Sequence, residues 1–149
     1  MPLNFYRFHS VWSVGVMPGE VFDVLADLGS YPRWWREVRQ VRRVADECAE
    51  LRCRSVLPYD LVFRASQGVR DDRAGVLRAD LTGDLEGFVA WKITRQGSGS
   101  RLDYDQEVTV RKPSLRRLAL LARPAMRANH ELMMRDGERG LRTYLAGRR

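Results

Sequence analysis

Residues 102–122 read LDYDQEVTVRKPSLRRLALLA, and the hydrophobic rhythm changes inside them. Up to Val110, a two-residue alternation places Leu102, Tyr104, Gln106, Val108 and Val110 on one side and Asp103, Asp105, Glu107 and Arg111 on the other. After Pro113 the apolar spacing becomes helical, with Ser114 as the expected N-cap. A run of alternating strands that hands over to one C-terminal helix predicts a curved sheet closed by that helix, with a space between them. Function is to be sought in that space.

The alternation extends far toward the N-terminus. Leu51, Cys53, Ser55 and Leu57 oppose Glu50, Arg52 and Arg54; after a turn at Pro58, Leu61, Phe63, Ala65, Gln67 and Val69 oppose Arg64, Ser66 and Arg70. Residues 71–75 form a turn, Leu77, Ala79 and Leu81 resume the inner phase, and residues 83–87 reverse the chain. Val89, Trp91 and Ile93 then face inward before a turn at residues 97–100. Connections this short predict consecutive antiparallel strands. Upstream, residues 5–16 read as a first strand with Phe8, Trp12, Val14 and Val16 in phase, residues 20–26 as a short helix, and residues 31–35 as a second turn or helix.

Downstream, the segment to Ala146 keeps helical periodicity. Leu115, Ala119, Ala122, Met126, Met133, Gly137, Gly140 and Tyr144 share one stripe, flanked by Asn129 and His130, with Arg117, Arg135, Arg139 and Arg142 opposite. Pro124 is expected to kink or divide the helix. Two glycines on a buried stripe each cost about 1 kcal/mol of helix propensity relative to alanine, so a compensating close approach to the sheet backbone is expected.

A chain of 149 residues, 44% of them hydrophobic, fits a single domain over residues 1–149 that buries roughly two thirds of its unfolded surface. Cys48 and Cys53 stand five apart and point to opposite faces of a strand, which argues against a mutual disulfide or a zinc pair and fits a cytoplasmic protein. No metal or other cofactor is expected. No leader sequence or membrane-length apolar window stands out. The net charge of +7 comes from the C-terminal segment: residues 1–110 hold 15 basic and 16 acidic side chains, residues 111–149 hold 11 and 3.

The order of elements is similar to the helix-grip fold of the START-like and Bet v 1-like (SRPBCC) superfamily. The segment from Ala26 to Trp35, ADLGSYPRWW, resembles the stretch that follows the first helix in that superfamily. GDLEG at residues 83–87 before Trp91, and Asn129-His130 with Met133, Gly137, Gly140 and Leu141, resemble a bacterial subgroup described as polyketide cyclase/dehydrase-like and lipid-transport-like. That resemblance implies an α+β fold, a curved antiparallel sheet wrapped around a long C-terminal helix with two short helices after the first strand. It implies binding of a hydrophobic lipid, polyketide, aromatic or isoprenoid molecule, with cyclase or dehydratase chemistry as the alternative.

The inward phases nominate the ligand-facing residues: Trp12, Trp35, Phe63, Gln67, Leu81, Trp91, Tyr104, Gln106, Met126, Asn129, His130 and Met133. A cavity of roughly 300 Å³ or more is expected, with amide side chains as polar handles. His130 is the one inward side chain that titrates near neutrality, and so the candidate acid or base. Asp84 and Glu86 suit a turn, and Asp103, Asp105 and Glu107 suit cross-strand pairs with Arg52, Arg54, Arg64, Arg70 and Arg78. Arg116, Arg117, Arg123 and Arg127 form a basic patch open to weak contact with anionic membrane or protein, which gives an interaction module as a second alternative function that needs no cavity. No phosphate loop or recognition helix accompanies the patch, which argues against nucleic acid.

Overall fold

The alternation is built as strands that join edge to edge. The computed structural model describes residues 4–55, 57, 59–116 and 119–148, without the side chains of residues 116–122. Among them are β1 (Phe5–Val14), β2 (Val38–Ala45), β3 (Cys48–Cys53), β4 (Leu61–Asp71), β5 (Val76–Gly83), β6 (Leu85–Gln96) and β7 (Gly99–Val110). All neighbours are antiparallel and the order is β1-β7-β6-β5-β4-β3-β2. The meander from β2 to β7 follows from its short connections, and β1 joins beside the last strand. Helices α1 (Pro18–Ala26), α2 (Tyr31–Trp34), α3 (Pro113–Arg116) and α4 (Ala119–Gly147) complete an α+β helix grip, the curved sheet holding α4 on its concave face.

Register aligns the concave residues into rows. Tyr104, Trp91 and Leu77 stand side by side; the next row is Phe8, Gln106, Val89, Ala79 and Gln67; the next is Tyr6, Val108, Gly87, Leu81, Ala65 and Ala49. The rows merge the inner phases of six strands into one apolar floor.

Helix α4 is fastened to this floor along β1. Glu138 accepts from the Ser13 amide at 3.0 Å and Arg142 donates to the Ser13 carbonyl at 2.8 Å. Near the other end of β1, Arg123 donates to the Phe5 carbonyl at 2.9 Å. The glycines of the stripe answer to tryptophans rather than to sheet backbone. A Cβ at Gly137 would lie 2.7 Å from ring atoms of both Trp12 and Trp35, and one at Gly140 would overlap the Trp34 carbonyl oxygen. Close approach is therefore real, but its partners are the α2 backbone and two indole rings.

Several sequence expectations change. Strand β2 was not foreseen because its sequence, VRQVRRVA, keeps no two-residue alternation; its pairing with β3 shifts register twice, as suits an irregular edge strand. In β4 a bulge at Gly68 resets the phase: Val69 lies across from Arg78, and Arg70 lies across from Leu77 in the concave row, while Val69 still borders the concave space. Arg70 thereby leaves its expected outward phase. Strand β3 ends at Cys53, before Ser55 and Leu57, and the Pro58 turn lies outside the described residues. Pro113 rather than a capping Ser114 begins α3, and α4 stays helical through Pro124. Strand order puts β7 between β1 and β6, so Asp103 and Asp105 meet His9, and Glu107 meets Arg7, not the arginines of β3 to β5.

Candidate functional site

Between the concave face, α4 and the segment from Leu25 to Trp35 lies a cavity of about 700 Å³. Phe63, Leu81, Trp91 and Tyr104 form its floor; Met126, Asn129, His130 and Met133 of α4 form its roof, and Trp35 closes one end. Gln67 and Gln106 also line it, so the spacing of the strands and of α4 brings these side chains around one space. Trp12 is the exception. It is 2% exposed and packs within 5.0 Å of Trp91 and 5.4 Å of Trp35 by ring centre, filling the core behind the cavity instead of facing it. Ser55, past the end of β3, does not line the space either.

One polar cluster crosses this apolar lining. The Tyr104 hydroxyl donates to Gln106 Oε1 at 2.6 Å, and His130 Nε2 lies 3.1 Å from the same oxygen. An oxygen offers only acceptor sites, so His130 carries its proton on Nε2 and the Gln106 amide is oriented by two donors. The ring of His130 lies flat on Phe8, with 3.7 Å between centres. Burial lowers its pKa from 6.5 to about 4, and burial raises that of Tyr104 far above the ordinary phenol value. Both groups are neutral at pH 7. Neutral groups of this kind can orient a bound molecule through hydrogen bonds. A protonated imidazole, the form a general acid needs, is disfavoured there.

The end wall is aromatic. Trp35 and Trp34 are stacked with 5.4 Å between rings, and both are buried. Trp35 Nε1 donates to the Met133 carbonyl at 2.9 Å, and the Tyr31 hydroxyl donates to the Leu25 carbonyl at 2.7 Å. The short Tyr31-to-Trp35 segment thus ties α4 to the end of α1. Only Trp35 of the two neighbours reaches the cavity.

Behind this wall sits a group that the periodicity did not reveal. Glu37 is 2% exposed, and its Oε1 has no hydrogen-bond partner among the described residues. Burial, then the hydrogen bond with Asp136, push its carboxyl up to about 7, while Asp136 is lowered chiefly by that same bond. Arg36 lies 2.9 Å from Asp136 and 3.8 Å from Glu37. Residues 35–37 join a helix to a strand, so no period marks Glu37 as inward. Cys53, on the floor nearby and across from Leu61, is pushed up to about 12 by burial, while Cys48 lies across from Ser66.

Asp84 accepts from the Val62 amide at 2.9 Å, the turn role its flanking glycines predict. Of the basic patch, Arg123 and Arg127 lie over the Tyr6 ring at 4.7 and 5.8 Å, and so pack α4 onto β1. Arg117 and the side chain of Arg116 lie outside the described residues. Among the described residues no group of three or more His, Cys, Asp or Glu is placed to hold a metal ion, and no helix is long and apolar enough to cross a membrane.

Residues 14–136 match the family model described as polyketide cyclase/dehydrase and lipid transport. The chain belongs to that family. This cyclase/dehydrase and lipid-transport membership agrees with solved structures of similar shape. The Zhui aromatase/cyclase of a Streptomyces species superposes with a TM-score of 0.76 at 13% identity, covering 94% of this chain and 93% of that one. A START superfamily protein from Mycobacterium smegmatis gives 0.75 at 15% identity, with 96% and 99% covered. Protein TTHA0849 from Thermus thermophilus gives 0.70 at 17% identity, with 91% and 96% covered. At these identities the likeness shows the fold. No curated protein sequence matches the chain.

Proposed function

We propose that this family member binds a hydrophobic small molecule, of lipid, polyketide or aromatic type, in the cavity between sheet and α4, and carries it without chemical change. The observation that supports this most is the cavity of about 700 Å³, within the size range of small-molecule pockets, whose polar cluster of Tyr104, Gln106 and His130 is held neutral. An apolar body gains by leaving water, and the Gln106 amide, oriented by two donors, offers a direction for one ligand oxygen.

The test begins with native mass spectrometry of the purified protein for a co-purified ligand. Titration of an apolar ligand should then change tryptophan emission saturably, because Trp35 and Trp91 line the space. Mass addition by no small molecule together with unchanged emission would count against binding.

The second reading, cyclase or dehydratase catalysis, is favoured by the placing of His130 and Tyr104 side by side over one cavity, as a cyclising site would require. The Zhui protein, of similar shape, is an aromatase/cyclase. His130→Gln separates the two. A carrier should keep its affinity within about tenfold, whereas an enzyme that uses His130 should lose roughly 100-fold or more in turnover at little cost in affinity.

A further inference from the structure

We infer that the molecule held in the cavity is an amphiphile ending in an oxyanion, and that Arg70 grips that charged end at the cavity mouth; this rests on the binding reading above. The bulge at Gly68 is the starting point. It turns Arg70 onto the concave face, directly across from Leu77, which is itself paired with Trp91 and then Tyr104. All four line the cavity, so a single row runs from the buried hydroxyl of Tyr104 over apolar surface to an exposed guanidinium. Regular alternation would have ended that row on Val69.

Among the arginines that line the cavity, charge pairing sets Arg70 apart. On the convex face Arg42, Arg52, Arg64 and Arg101 each have a carboxylate within 4.0 Å. Arg43, which shares the rim, is held by Asp46 at 3.1 Å, and Arg78 by Asp80 at 3.7 Å. Arg70 has no carboxylate within that distance among the described residues, although Asp27 and Glu47 lie on the same rim. An arginine fork without a partner, rooted in the floor of an apolar cavity, suits a carboxylate or phosphate that stays at the water boundary. Three inter-strand steps separate Tyr104 from Arg70, about 14 Å at ~4.8 Å per step, and this sets the length of the apolar body.

The experiment compares dodecanoate, dodecyl phosphate and methyl dodecanoate, each below its micelle concentration, by tryptophan emission and calorimetry. The wild-type protein is expected to bind dodecanoate at least about tenfold more tightly than the ester, and comparison with dodecyl phosphate shows which oxyanion fits better. Arg70→Gln should bring dodecanoate down to the level of the ester and leave ester binding unchanged, which also certifies the folded cavity. Arg64→Gln, on the convex face and away from the cavity, should keep the preference. Equal binding of dodecanoate and ester by the wild type, or an unaltered preference in Arg70→Gln, overturns the role of Arg70 while leaving cavity binding in place. Tighter binding of dodecylamine than of dodecanoate overturns it too, and assigns the rim to Asp27 and Glu47. Binding of none of these probes overturns both readings.

Discussion

Two buried side chains hold unusual protons, and they pull stability in opposite directions with pH. Glu37 binds its proton more tightly folded than unfolded, so its contribution is complete below 4.5 and is withdrawn as pH rises toward about 7. His130 binds its proton less tightly folded, so its contribution is complete above 6.5 and is lost as pH falls toward about 4. Between those limits the wild-type stability should be nearly flat. In chemical denaturation, Glu37→Gln should expose the rise of stability with pH due to His130. His130→Gln should expose the fall due to Glu37, with each slope at most about 1.4 kcal/mol per pH unit. Parallel curves for all three proteins would refute both assignments. The sequence marks His130 and Gln106 as inward but cannot pair them, since strand β7 and helix α4 meet only in three dimensions. Glu37 was illegible because its burial depends on where α4 happens to lie.

At the scale of elements, α4 and α2 fit because two glycines leave room. Gly140→Ala should gain about 1 kcal/mol in helix propensity yet destabilise the protein, because the new methyl would overlap the Trp34 carbonyl, a backbone atom that cannot swing aside. A net loss of about 1–3 kcal/mol in urea unfolding is expected, and a neutral or stabilising result would show that α2 can back away. The periodicity of α4 was plain from its apolar stripe, and the presence of glycines on that stripe foretold a close approach. What approached was not foretold, since Trp34 and Trp35 stand about a hundred residues earlier. Strands were legible wherever two faces met different solvents, as in β7. They became obscure where a bulge inserted a residue, at Gly68, or where an edge strand had little to bury, as in β2.

For the whole molecule, a large cavity leaves part of the apolar floor without contacts, so occupation should stabilise the fold. A ligand at 100 times its Kd adds about 2.7 kcal/mol, which for a chain of this size should raise Tm by roughly 5–10 °C in a thermal scan. A ligand that alters tryptophan emission without moving Tm would be binding elsewhere. The architecture was readable as a whole because one change of period, near Pro113, separates everything that makes the sheet from the helix that closes it. The ligand was not, since an apolar lining selects for size and shape more than for chemical identity.

The hydrogen bonds that tie Glu138 and Arg142 to Ser13 also bear on how the molecule behaves in a crowd. A sheet that does not close into a barrel presents two rows of unsatisfied backbone groups, each a template on which another chain can add a strand. At β1 the side chains of α4 occupy such groups themselves, and at β2 Arg39, Arg42 and Arg43 put positive charge along a strand already broken in register. Replacing Glu138 and Arg142 together by alanine should therefore cost little in unfolding free energy but promote self-association, seen as concentration-dependent light scattering. A double variant that scatters like the wild type would mean that curvature alone protects the edge.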